Sequence, residues 1–214
     1  MFDRITDELY GPQLSIEGKC ERFRGASPNL IAIREMSWGR WKELYPETTV
    51  VSSDNAAPKP YFSYPYGSYD QLFDNSLLFP QDNVDSTRPI KERVLAIRSS
   101  ETGGRGYPFD DLREMGGRLA LNDNVDGSPV AIFYELRSGE AAVAYDPVVA
   151  GQTLTFEIVN NEIRDIQTGT LWSFGGAGLE GTHAGAQLQP LANSYVLMWF
   201  AWKHFQPDGV VFSI

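Results

Sequence analysis

The sequence predicts an α+β fold rich in strand: antiparallel sheets or a barrel-like core, a few short helices, and a half-domain that is pseudo-duplicated. Three observations predict it. One motif occurs twice in the same order. The first copy runs Asp3-x-x-Thr6-x-x-Leu9-Tyr10, Gly18, Leu30, Trp38-x-x-Trp41-Lys42, Pro46, Val50 and Ser52. The second runs Asp165-x-x-Thr168-x-x-Leu171-Trp172, Gly181, Leu188, Trp199-x-x-Trp202-Lys203, Pro207, Val211 and Ser213. Next, Leu154, Phe156 and Ile158 alternate with Thr153, Thr155 and Glu157, the period-two pattern of a half-buried strand. Last, Trp38, Trp41 and Tyr45, and again Trp199, Trp202 and Phe205, recur at helical spacing ahead of a proline.

Taken in order, residues 1–10 read as a strand end, a turn bracketed by Asp3 and Thr6, and a new strand start. Glycines at 11, 18 and 25 mark loops. Leu30-Ile31-Ala32-Ile33 is a short β run, Ser37 is placed to cap the first tryptophan helix, and Thr48-Thr49-Val50-Val51 is the strand after it. Residues 53–90 differ, with prolines at 58, 60, 65, 80 and 89 and tyrosines at 61, 64, 66 and 69. So many aromatics point to an ordered connector whose rings pack on the body, or to an aromatic ligand-binding strip, rather than to a disordered linker.

From Arg93 the strand signal strengthens. Val94–Ile97 is a strand and Asp110 is placed to cap a short helix that runs to Met115 before Gly116-Gly117. Asp126-Gly127 is a hairpin turn, residues 129–134 and 141–145 are apolar strands, and Asn160-Asn161 tips the hairpin that returns through Ile163 and Ile166. Asn193 or Ser194 is placed to cap the second tryptophan helix, and residues 209–212 are the last strand. The expected organisation is one compact unit over 1–214. In it 1–52 is the tail of a first half-repeat, 53–90 the connector, and 91–214 a complete second half. The counterpart of residues 91–164 would precede Met1.

With 214 residues the chain can bury a sizeable core without a disulfide or metal staple. The formal net charge of −10, with no basic run, argues against nucleic acid as a partner. No stretch of roughly 18 apolar residues occurs, so no membrane span is expected. The start lacks the apolar core of a signal peptide, which leaves the chain as given cytoplasmic. One cysteine, Cys20, excludes an internal disulfide.

The duplicated motif resembles the bacterial and archaeal proteins of unknown function grouped as DUF3179. The resemblance rests on Asp165-Ile166-Gln167-Thr168-Gly169-Thr170-Leu171-Trp172, Gly181 to Leu188, Trp199-Phe200-Ala201-Trp202 and Pro207. Arg93-Val94-Leu95-Ala96-Ile97 and Gly106-Tyr107-Pro108 also match family stretches. It implies tandem halves and allows an exported protein. Many members carry a Cys-x-x-Cys-type motif after the core strand; here the equivalent stretch, Tyr134 to Gly139, has no cysteine.

The Asp-x-x-Thr-Gly turn is explained by folding: the aspartate bonds backbone N–H groups two residues on and Gly169 supplies a positive φ, where the first copy has Asp7. Aligning the copies sets Cys20 opposite His183. Those two are the candidates for a metal or a nucleophile–base pair, with Glu180, Glu21 and Asp165 as neighbouring carboxylates. Trp199 and Trp202 could form an aromatic clamp, or core. No phosphate loop, dinucleotide fingerprint, Gly-x-Ser-x-Gly or His-Glu-x-x-His occurs, so no cofactor is assigned. The reading is a non-catalytic or accessory binding protein. The alternatives are an enzyme or metal protein with a small polar site between the pseudo-repeats, and a structural subunit completed by a partner or by homo-oligomerisation.

Overall fold

The computed structural model describes the backbone of residues 2–3 and 8–9, and residues 29–52, 54, 63–99, 102–137 and 139–213. In chain order the elements are β1 (Phe2–Asp3), β2 (Glu8–Leu9), α1 (Trp38–Leu44), β3 (Arg93–Ile97), β4 (Arg105–Pro108) and α2 (Phe109–Met115). There follow β5 (Arg118–Val125), β6 (Ser128–Glu135), β7 (Ala141–Asp146), β8 (Val148–Val149), β9 (Gln152–Thr153), β10 (Phe156–Val159) and β11 (Glu162–Asp165). Last come β12 (Leu171–Trp172), β13 (Gly178–Glu180), β14 (Gln189–Pro190), β15 (Ser194–Met198), α3 (Trp199–Phe205) and β16 (Val210–Val211). The fold is mostly β with three short helices among the described residues, and no sheet closes into a barrel.

Three four-stranded sheets stack. Their orders are β15-β3-β4-β16, β14-β7-β6-β5 and β10-β11-β12-β13. All pairings are antiparallel except β16 on β4. Alternation along each strand sets the stacking order. Val130, Ile132 and Tyr134 of β6 share a core with Leu95 and Ile97 of β3 and Leu112 of α2. Ala131 and Phe133, on the opposite face of β6, share a second core with Phe156, Ile163, Trp172 and Phe174. The remaining face of β3, Val94 and Ala96, packs under Trp199 and Trp202 of α3. The middle sheet is therefore covered on both faces, which is why residues 130–135 are all buried.

Local chemistry explains the turns. Asp126-Gly127 and Asn160-Asn161 both hold positive φ, at 51° and 80°, and at 51° and 63°, as tight hairpin loops need. Gly106 lies face to face with Trp202: a Cβ there would come within 2.5 Å of the indole.

Three capping expectations hold differently. Ser37 caps α1, its Oγ accepting from the Arg40 N–H at 3.2 Å. Asn193 and Ser194 do not cap α3. Ser194 belongs to β15, which runs straight into the helix with Met198 at the cap position. Likewise α2 starts at Phe109 after Pro108, with Asp110 in its first turn rather than at its cap. The strands expected at 30–33 and 48–51 are not formed among the described residues, and Ile31, Ile33, Val50 and Val51 are exposed.

The helices α1 and α3 are nevertheless closely alike. Each has seven residues and the same bond from the residue after the helix, Tyr45 to Trp41 O and Gln206 to Trp202 O, both 2.8 Å. The next turn matches too, Thr48 N–H to Tyr45 O and Gly209 N–H to Gln206 O. Helix α1 is held to the body by a buried ion pair between Arg40 and Glu135, with Met36 and Leu44 against the second core.

Residues 63–92 lie as a strap without strand or helix. It is pinned by polar groups: Tyr69 covers the buried Lys91 ammonium at 3.0 Å from its ring centroid. Asp85 accepts from Trp199 Nε1 at 3.1 Å, and Arg88 bridges Glu92 and Asp111. The expected packing of its rings on the body holds only for Tyr69. Tyr64 and Tyr66 are exposed and pair with each other, and Tyr61 lies outside the described residues.

Gly106→Ala should overpack the contact with Trp202. The variant should lose about 1–3 kcal/mol, read as a lower urea midpoint with an unchanged slope.

Candidate functional site

The motif turn between β11 and β12 carries the densest polar cluster near the sequence candidates. Asp165 ends β11 with its carboxylate facing inward and is buried. Its Oδ1 accepts from the Thr168 N–H at 2.6 Å and the Thr168 hydroxyl at 2.8 Å. Its Oδ2 accepts from Trp172 Nε1 at 3.0 Å. The turn thus spans three residues from Asp165 to the N–H it accepts, one longer than expected, and Gly169 takes φ 70°. Because the Thr168 proton goes to the carboxylate, the 2.7 Å contact with Thr170 runs from the Thr170 hydroxyl to Thr168. Thr170 Oγ1 in turn accepts from the His183 N–H at 3.1 Å. A continuous donor chain therefore runs from His183 through two threonine hydroxyls to Asp165.

Burial works to raise the Asp165 carboxyl, but the bonds from Trp172 and Thr168, with the nearby His183, outweigh it and hold it below the usual carboxylate range. An ionised, triply bonded carboxylate of this kind is an anchor. It orients the Trp172 indole in the second core and has no free lone pair directed at solvent to act as a base.

Loop 181–185 is shaped by close approaches. Gly181 sits at φ 106° against Thr170, and a Cβ on Gly178 would meet the His183 carbonyl oxygen at 2.2 Å. This folds the His183 ring over Trp172, with centroids 6.2 Å apart. The His183 Nε2 is buried and makes no hydrogen bond.

The structure thus brings together Asp165 and His183 of the sequence candidates. Glu180 does not join them: it is exposed on β13, opposite Leu171. Cys20 lies outside the described residues, so its pairing with His183 does too. Trp199 and Trp202 are core under α3, with their rings 5.2 Å apart, and do not form an open clamp. Among the described residues no three of His, Cys, Asp and Glu gather as metal ligands.

Several groups escaped sequence reasoning. Thr170 has Glu8 opposite it in the first motif, so the repeat carried no signal for it. Arg40 and Glu135 are 95 residues apart and carry no pattern that pairs them. Lys91 sits between Ile90 and Glu92 with nothing to mark its burial. On the strap, Leu72, Phe73, Leu78 and Phe79 join Tyr64 and Tyr66 as exposed large apolar residues, Phe73 at 77% and Phe79 at 79%.

The family described as "Protein of unknown function (DUF3179)" matches residues 1–209, and the chain belongs to it. No curated protein and no solved structure matches the chain.

Asp165→Asn should leave one of three donors without an acceptor and cost about 1–3 kcal/mol at neutral pH. Because the folded carboxyl sits below its unfolded value near 4, its stabilisation is complete above that value and fades as pH falls through the lowered folded one. Urea unfolding from neutral to acid pH should therefore show the gap between native and variant chains closing on the acid side. His183→Phe removes a nitrogen that bonds nothing, so the same measurement should find its stability unchanged or slightly raised.

Proposed function

We propose that this member of the DUF3179 family is an accessory binding protein that recognises an apolar surface of another macromolecule without catalysis. The observation that carries this reading is the strap at 64–79. It displays Tyr64, Tyr66, Leu72, Phe73, Leu78 and Phe79 to solvent, while polar anchors at Tyr69, Asp85 and Arg88 keep it in place. Exposed aromatic groups on a held backbone offer contact area at low cost in chain entropy. Scattered apolar residues are ordinary on a protein surface; six within sixteen positions of one strap are not. The net charge of −10 favours a protein partner over nucleic acid. Among the described residues no helix is long and apolar enough to cross a membrane.

A second reading, an enzyme working through His183, has one observation behind it: the Nε2 atom without a partner beside Asp165. It is the weaker one, because the carboxylate that would assist the imidazole is already bonded by Thr168 and Trp172.

A peptide-display selection on the full chain separates the two. Apolar peptides should be enriched, and Phe73→Ser with Phe79→Ser should reduce their binding at least tenfold with an unchanged melting temperature, since exposed substitutions stay within about 0.5 kcal/mol. Turnover of ester, amide or phosphoester substrates that His183→Ala abolishes, with display binding indifferent to the strap variant, would sink this proposal in favour of the enzyme.

A further inference from the structure

The first and middle sheets part at one end, and charged groups line the gap. Strands β3 and β15 close with one last rung beyond Ile97: the Arg98 N–H donates to Asn193 O at 2.9 Å, and Asn193 Nδ2 donates to Arg98 O at 2.8 Å. Across from them β5 and β6 turn at Asp126-Gly127, and β7 stops at Asp146 ahead of Pro147. Between these ends lies a cleft of about 590 Å³, inside the range of roughly 300–1,000 Å³ usual for small-molecule sites. Its floor is Ile97, Val125, Val130 and Leu191, an open edge of the first core.

The rim carries Arg98, Asp126 and Asp146. Every other described arginine bonds a carboxylate, carbonyl or hydroxyl oxygen through its guanidinium. Among the described residues the Arg98 guanidinium has no such partner, and it pairs with neither carboxylate although the three line one cleft. Each carboxylate is oriented through one oxygen. Asp126 Oδ1 accepts from the Thr102 hydroxyl at 2.7 Å, and Asp146 Oδ1 accepts from the Val148 N–H at 2.9 Å. Their Oδ2 atoms have no hydrogen bond among the described residues. Separated charges of both signs thus stand over an apolar floor.

We propose that this cleft binds a small zwitterion with an apolar side chain, the chemistry shared by a free apolar α-amino acid and a short apolar peptide. The planar fork of Arg98 takes the carboxylate, where a bidentate pair is strongest. The Oδ2 atoms of Asp126 and Asp146 take the ammonium, and the apolar side chain lies on Ile97, Val125, Val130 and Leu191. Other ligand classes fit less well. A simple anion meets two carboxylates, and a simple cation meets the guanidinium. A metal ion lacks a ligand set, because no three of His, Cys, Asp and Glu gather among the described residues. A wholly apolar ligand takes water from three charged groups and replaces none of it. No residue of the strap at 64–79 lines the cleft, so this site stands or falls independently of the binding proposed there.

The test is calorimetric titration of the full chain with L-leucine and with dileucine. At least one should bind at millimolar concentration or below, and the tighter of the two identifies the source as free amino acid or peptide. Its methyl ester lacks the carboxylate charge and its N-acetyl form lacks the ammonium; each should bind about tenfold more weakly or worse. Arg98→Gln should weaken the zwitterion by about the same factor and leave the methyl ester unchanged. Asp146→Asn keeps an acceptor for the Val148 N–H; it should weaken the zwitterion and leave the N-acetyl form unchanged. A native urea midpoint shows that the variants fold, and the capped ligands make the same test on the unaltered chain. The proposal is overturned if neither ligand binds at millimolar concentration, if the capped forms bind as well as the zwitterion, or if folded Arg98→Gln binds it undiminished.

Discussion

The middle sheet has no face to spare, and that constraint organises the molecule. Strand β6 alternates Val130, Ile132 and Tyr134 with Ala131 and Phe133, apolar on both sides. A sheet of this kind cannot lie on a surface; it needs a layer on each face. The β3–β4 sheet with α2 supplies one cover, and the β10–β13 sheet supplies the other. The first cover is itself apolar on its outer side at Val94 and Ala96, so it needs α3 in turn. The sequence of layers thus follows from which strands have one apolar face and which have two.

The polar cluster at Asp165 belongs to this architecture. Trp172 fills the second core, and its one polar atom needs an acceptor when buried. Asp165 provides it, Thr168 and the turn backbone neutralise the cost of burying the carboxylate, and Thr170 extends the chain to the loop that carries His183. The motif turn closes a hairpin over a buried indole. Among the described residues of the site, His183 Nε2 is left without a hydrogen bond.

The same helix motif meets two fates within one chain. On α3 the indoles are core; on α1 Trp38 is exposed and Trp41 half-buried, and α1 is secured by the Arg40–Glu135 pair with Met36 and Leu44 against the second core. A buried ion pair is a poor source of net stability, though it costs much to break. The polar pinning of the strap by Tyr69, Asp85 and Arg88 is similar in kind: it holds backbone in place while leaving large apolar groups in water.

The class of fold, the hairpins at Asp126-Gly127 and Asn160-Asn161, the Ser37 cap and the folding role of the Asp-x-x-Thr-Gly turn were all legible in the sequence. They rest on local rules: period, positive φ, and side chains that reach nearby backbone. The strands expected at 30–33 and 48–51 failed for a reason that local rules do not contain. A strand needs a neighbour to hydrogen-bond, and none of the described residues offers one there. The same holds for the site. Asp165 and Thr168 could be read together because they are three residues apart, whereas the nearness of His183, the Arg40–Glu135 pair and the burial of Lys91 under Tyr69 depend on contacts between distant segments. By itself the sequence determined which segments could become strands, turns and helices. Tertiary structure alone decided which apolar faces found partners, because burial is a property of neighbours and not of residues.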